Sequence, residues 1–210
     1  MNPTDVYLKM MSEALDRLSA CEAYVAAYEV HANIYDLESA ALQMRKTMEA
    51  IAFASIAPNE KMYVQFRKNA AKPVHHGKDW SASSIFFNLE KVNPDFYPRP
   101  LGEPVQESAN YWNFPDVKGD YMKRKHFDNL YDKLGKFLHA DNPWGNPKGW
   151  DHFAKDLPGA VRKLRTLLHR HAALIQNKDF IGTWIVDAPS DGTPPRILQA
   201  EANGPFTTKR

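Results

Sequence analysis

Ile34-Tyr35-Asp36-Leu37-Glu38-Ser39-Ala40-Ala41-Leu42-Gln43-Met44-Arg45-Lys46-Thr47-Met48-Glu49-Ala50-Ile51-Ala52-Phe53 is the stretch on which the fold turns. Leu37, Ala41, Leu42, Met44, Met48, Ile51, Ala52 and Phe53 follow the period of an amphipathic helix that ends before Pro58. Ala40, Ala41, Ala50, Ala52 and Ala54 are small enough to let neighbouring helices come close, so the segment reads as the central helix of a bundle. Within it, Arg45 and Glu49 stand i, i+4 and share one helix face. They form either a surface salt bridge worth a few tenths of a kcal/mol or a charged pair facing a cleft.

Upstream, Val6, Met10, Met11, Leu15, Leu18, Cys21 and Val25 mark another helix, capped by Thr4 or Asp5 and running to about Val30. At that length it spans ~40 Å and needs a long partner. His31-Ala32-Asn33 is the expected turn into an antiparallel pair, a continuous helix being the alternative. Downstream, helices are expected over Asn59–Ala71 and Ser81–Val92, separated by a loop containing His75-His76-Gly77-Lys78-Asp79. Residues 93–119 carry five prolines and no helical period, yet hold Phe96, Tyr97, Tyr111, Trp112 and Phe114. Such a segment packs down as an ordered loop with short extended pieces. Helix resumes over Asp120–Ala140 and Trp150–Gln176, with Pro158-Gly159 kinking or splitting the last one. Phe180–Val186 changes to strand character, and Arg196–Ala200 is its returning strand.

Composition bounds the function classes. The 210-residue chain has a formal net charge of +2, but residues 118–178 hold 13 Lys/Arg against 6 Asp/Glu. A basic stretch of this kind attracts a polyanion, or else forms a solvated face opposite an acidic one. Lys123, Arg124, Lys125, Arg162, Lys163 and Arg165 are the candidate phosphate contacts. Cys21 is the only cysteine, which rules out an intrachain disulfide and a cysteine zinc cluster and suits the cytoplasm. No leader and no membrane span is expected. Glycine-rich nucleotide loops, serine-nucleophile elbows and zincin helices are missing from the sequence.

The chemistry-bearing stretch is Leu134-Gly135-Lys136-Phe137-Leu138-His139-Ala140-Asp141-Asn142-Pro143-Trp144. Here a helix pattern runs into His139, Asp141 and Asn142. One reading is a dipole-capping histidine followed by turn residues. The other is a proton-transfer site, because imidazole exchanges protons near neutral pH and a neighbouring carboxylate or amide orients it.

Two segments, Leu37-Glu38 through Arg45-Lys46-Thr47-Met48-Glu49 and Tyr131-Asp132-Lys133-Leu134-Gly135-Lys136-Phe137-Leu138-His139, resemble the HEPN superfamily, especially its uncharacterised bacterial members. The resemblance implies an all-α bundle. It also implies metal-independent endoribonuclease activity or an inactive scaffold role, in toxin–antitoxin or antiviral defence. Active members carry an arginine shortly before a histidine and work as dimers. Here Lys133, not arginine, lies six residues before His139, and Asp141 and Asn142 follow it.

The expectation is therefore an all-α antiparallel bundle with long first two helices plus a C-terminal β-hairpin. The bundle covers residues 1–178 and the hairpin and tail 179–210. The candidate catalytic set is His139, Arg45, Glu49, Lys133, Asp141 and Asn142, with no cofactor or metal. RNA and a homodimeric or heteromeric protein partner are the expected associates. A noncatalytic scaffold and a small-ligand sensor are the alternatives.

Overall fold

The computed structural model describes residues 2–70, 75–109, 111–145, 147–176, 181–189 and 191–201. Ala71, most of the loop before His75, Asn146, Phe180 and the tail after residue 201 lie outside them.

Among the described residues six α-helices and six strands follow in order: α1 Pro3–His31, α2 Ile34–Ile56, α3 Glu60–Lys68, α4 Ala82–Val92, β1 Arg99–Pro100, β2 Val105–Ser108, β3 Tyr111–Asn113, α5 Arg124–Phe137, α6 Trp150–His169, β4 Arg170–Gln176, β5 Ile181–Asp187 and β6 Arg196–Glu201. Asn2, rather than Thr4 or Asp5, caps α1: its side chain accepts from the Thr4 N–H at 3.3 Å, and Pro3 occupies the first turn. Tyr7, Met11, Ala14, Leu18, Cys21 and Val25 are buried, alternating steps of four and three along a single seam. Ala32 takes the left-handed conformation (φ 51°) that ends α1, and Asn33 caps α2, so the chain folds back at the expected turn. Helix α2 buries Leu37, Ala40, Ala41, Met44, Met48 and Ile51 completely, as a central helix does.

The all-α expectation is overturned, because a four-stranded antiparallel sheet of order β1-β4-β5-β6 packs against the helices. The expected last helix stops at His169, and Arg170–Gln176 is strand instead. The sheet takes the chain at this junction through backbone bonds. Leu101 N–H donates to the Arg170 carbonyl at 2.8 Å and Ala188 N–H to that of His169 at 2.7 Å. Residues 171–175 are buried throughout, and the hairpin β5–β6 pairs onto β4 rather than standing apart. The wanted partner for a hairpin that is marginal alone is thus a strand of the same chain. Pro158 lies inside α6 without splitting it. Segment 93–119 supplies β1 at the sheet edge and the separate ribbon β2–β3. Among the described residues no helix is long and apolar enough to cross a membrane.

Buried polar groups tie the layers together. Asn93 donates to Asn59 Oδ1 at 3.0 Å and to the Leu174 carbonyl at 2.9 Å, joining the ends of α2 and α4 to β4. His171, fully buried, meets the Tyr7 hydroxyl at 2.7 Å and joins β4 to α1.

Candidate functional site

Helices α2 and α5 hold the two resembling segments, and they pack against each other. Arg45 crosses this seam. Its Nη1 donates to the Tyr131 carbonyl at 3.1 Å, and its guanidinium carbon lies 3.9 Å from the centre of the Tyr131 ring. Its Nε stands 3.3 Å from Glu49 Oε1, and the Tyr131 hydroxyl donates to that same oxygen at 2.9 Å. The three side chains close a triangle in which Arg45 and Glu49 keep only 20% and 24% of their surface exposed. Burial first, and then the bond to Glu49, hold the Tyr131 phenol above its usual pKa, so it stays a neutral donor.

Gly135 makes room for this contact. A Cβ there would lie 3.0 Å from Arg45 Nη1. Tyr131 and Gly135 stand one turn apart on α5, and His139 follows at the same four-residue interval, just beyond the helix end at Phe137.

His139 is exposed, and its imidazole makes no hydrogen bond or ion pair among the described residues. Its backbone is held instead. Lys148 Nζ donates to the carbonyls of Phe137, at 3.3 Å, and His139, and pairs with Asp141 at 2.9 Å. Asn142 accepts from the Trp144 N–H at 3.1 Å, a local turn bond. Asp141 and Asn142 thus shape the loop that carries His139. Lys133 is turned elsewhere, paired at 3.0 Å with Asp156 of α6. So the structure brings Arg45 and Glu49 together with Tyr131, and Asp141 with the His139 backbone. Among the described residues no side-chain hydrogen bond or ion pair joins these two groups.

The six basic candidates divide evenly. Arg165 forms a bidentate pair with Glu22 at 2.8 and 2.6 Å, Lys163 meets Asp120 at 3.2 Å, and Arg124 pairs with Asp128 beneath the Phe86 ring. Lys123, Lys125 and Arg162 are exposed and make no ion pair among the described residues. In the 75–79 loop, His75 stacks on His76, while Asp79 accepts from Arg67 at 2.7 Å and Tyr63 at 2.9 Å.

Tyr131 and Lys148 escaped the sequence reading as site residues. Helical spacing from Phe127 and to Leu134 places Tyr131 inward, so its burial was recoverable; the Lys148 contact across a loop carries no local signal. Searches of family models, curated proteins and solved structures return no match to this chain.

Proposed function

We propose that the protein binds RNA and cleaves it without a metal, with His139 as the proton-transfer group and Arg45 as the charge-stabilising group. The observation that carries this reading is the seam itself. The two segments that resemble HEPN proteins pack on one another, and Arg45 reaches the α5 backbone at Tyr131, about two turns before His139. In this mechanism the imidazole takes the proton of a ribose 2′-hydroxyl. The 2′-oxygen attacks phosphorus, and the 5′-oxygen leaves and is protonated by water. A guanidinium beside the phosphorane offsets the charge that develops there. Glu49 holds Arg45 in place, and Asp141 acts through Lys148 on the backbone of His139. Lys133, neutralised by Asp156, has no part in it. Pairing with a second copy and a role in bacterial defence or stress follow from the resemblance and belong to the same proposal.

A noncatalytic RNA-binding module is the second reading, favoured by how fully Arg45 is engaged as an interhelical contact. One experiment separates them. Labelled single-stranded RNA is incubated with the protein in excess chelator, and binding is titrated against salt. Cleavage that falls by about 10²-fold or more in a folded His139→Ala variant supports catalysis. Binding without cleavage leaves the module. Lys123→Gln, Lys125→Gln and Arg162→Gln together should weaken binding to all sequences and flatten its salt dependence. No binding at ~50 mM salt sinks both readings.

A further inference from the structure

A cavity of about 410 Å³ opens where the start of α1 and the end of α2 meet the segment before α4. It lies on other elements than the α2–α5 seam. Its floor is apolar, made by Val6, Phe53, Ile56 and Ala57. Trp80 stands at the wall, 69% exposed, so its indole is open to a ligand. Two carboxylates face the cavity. Asp79 is already committed to Arg67 and Tyr63. Glu60, half-buried, makes no hydrogen bond or ion pair with its side chain among the described residues. His76, which lines the rim, is stacked on His75.

A concave apolar surface with a few placed polar groups is the usual form of a small-molecule site, and this volume falls in the usual range. The charge pattern selects the ligand. An anion would meet Glu60 and Asp79, whereas a cation gains Glu60, unpaired among the described residues, and the face of an indole, the best aromatic partner for an ammonium. We propose that this cavity binds a hydrophobic amine, its ammonium between Glu60 and Trp80 and its alkyl or aryl body on Val6, Phe53 and Ile56. The site is independent of RNA handling, so a His139→Ala variant keeps it.

The test uses the full chain in calorimetric titration with three probes of one shape: 2-phenylethylamine, 2-phenylethanol and phenylacetate. The amine should bind about tenfold tighter than the alcohol, and the acid weakest. Glu60→Gln, at a half-buried first-turn position whose side chain makes no hydrogen bond or ion pair among the described residues, should keep the fold and cut the amine's preference over the alcohol several-fold, the indole supplying the rest. Trp80→Ala should weaken the amine several-fold while leaving the melting temperature in place. The proposal is overturned if no probe saturates below about 10 mM, if alcohol or acid matches the amine, or if Glu60→Gln leaves the amine preference unchanged.

Discussion

Acid should loosen this fold through one residue. His171 is fully buried, with Nδ1 at 3.0 Å from the Leu168 carbonyl and Nε2 at 2.7 Å from the Tyr7 hydroxyl. A carbonyl only accepts, so Nδ1 carries the proton, and Nε2 accepts from the phenol. In this tautomer the ring is neutral. Burial holds its pKa down to about 4 against an ordinary 6.5, with the Leu168 bond opposing weakly. Between these values the unfolded chain binds a proton that the folded chain refuses. The contribution to stability is complete above pH 6.5 and is lost as pH falls through about 4. At ~1.4 kcal/mol per pH unit the whole window is worth ~3 kcal/mol.

Urea unfolding followed by circular dichroism at intervals from pH 7.5 to 4.5 measures this. Other groups titrate over the same range, so the comparison needs a variant in which this pair is gone. Tyr7→Phe with His171→Leu removes donor and acceptor together and leaves no orphan from the Tyr7–His171 bond. The wild type should lose ~2 kcal/mol more than the double variant between pH 6.5 and 5. Equal slopes in the two proteins, or a His171 ring signal that titrates near pH 6.5 in the folded state, would refute the reasoning.

Gly135→Ala should leave stability nearly unchanged, because the gain of ~1 kcal/mol in helix propensity offsets the loss of the Arg45–Tyr131 bond as the flexible guanidinium moves aside. Thermal unfolding checks this, and a loss above ~2 kcal/mol would mean that Arg45 cannot move. If the proposed chemistry is right, the same variant loses RNA cleavage while keeping its fold. Asn93→Ala should cost ~3 kcal/mol in urea unfolding, since it withdraws buried donors from Asn59 Oδ1 and the Leu174 carbonyl; a change below ~1 kcal/mol would show that these acceptors find other partners.

The helices were legible because their information is local. Steps of three and four place Met11, Leu18, Cys21 and Val25 on one side of α1, and the turn His31-Ala32-Asn33 carries its own end and start signals. Strand β4 was not legible for a physical reason. Val161, Leu164 and Leu168 set a helical rhythm that Ala172 and Ile175 happen to continue, and a strand buried on both faces shows no alternation to break it. What makes Arg170–Gln176 extended is pairing to β1, 73 residues earlier in the register Ala172 to Arg99, and to β5 after it. A hairpin that is marginal alone was the available clue: β5 needed a neighbour, and the chain entering it was the nearest candidate.

The same distinction runs through the site. That Arg45 and Glu49 share a face follows from their spacing alone. That both are satisfied by Tyr131 depends on how α5 lies on α2, and on a glycine at position 135 leaving space for the guanidinium. Lys133 had the right place in sequence for a charge near His139, but helical geometry puts it about 200° around α5 from Tyr131, where α6 offers Asp156. The resemblance orders residues along the chain; which of them face one another is set by the rotation of α5. Under that rotation Arg45, from another helix, is the cation that reaches the Tyr131–Gly135 face of α5, and the Arg45→Lys variant tests its part in the proposal directly. Lysine keeps the charge but loses the planar fork that spans Glu49 and the Tyr131 carbonyl. Should Arg45→Lys cleave RNA as well as the wild type, charge alone suffices and the geometry of the seam is incidental.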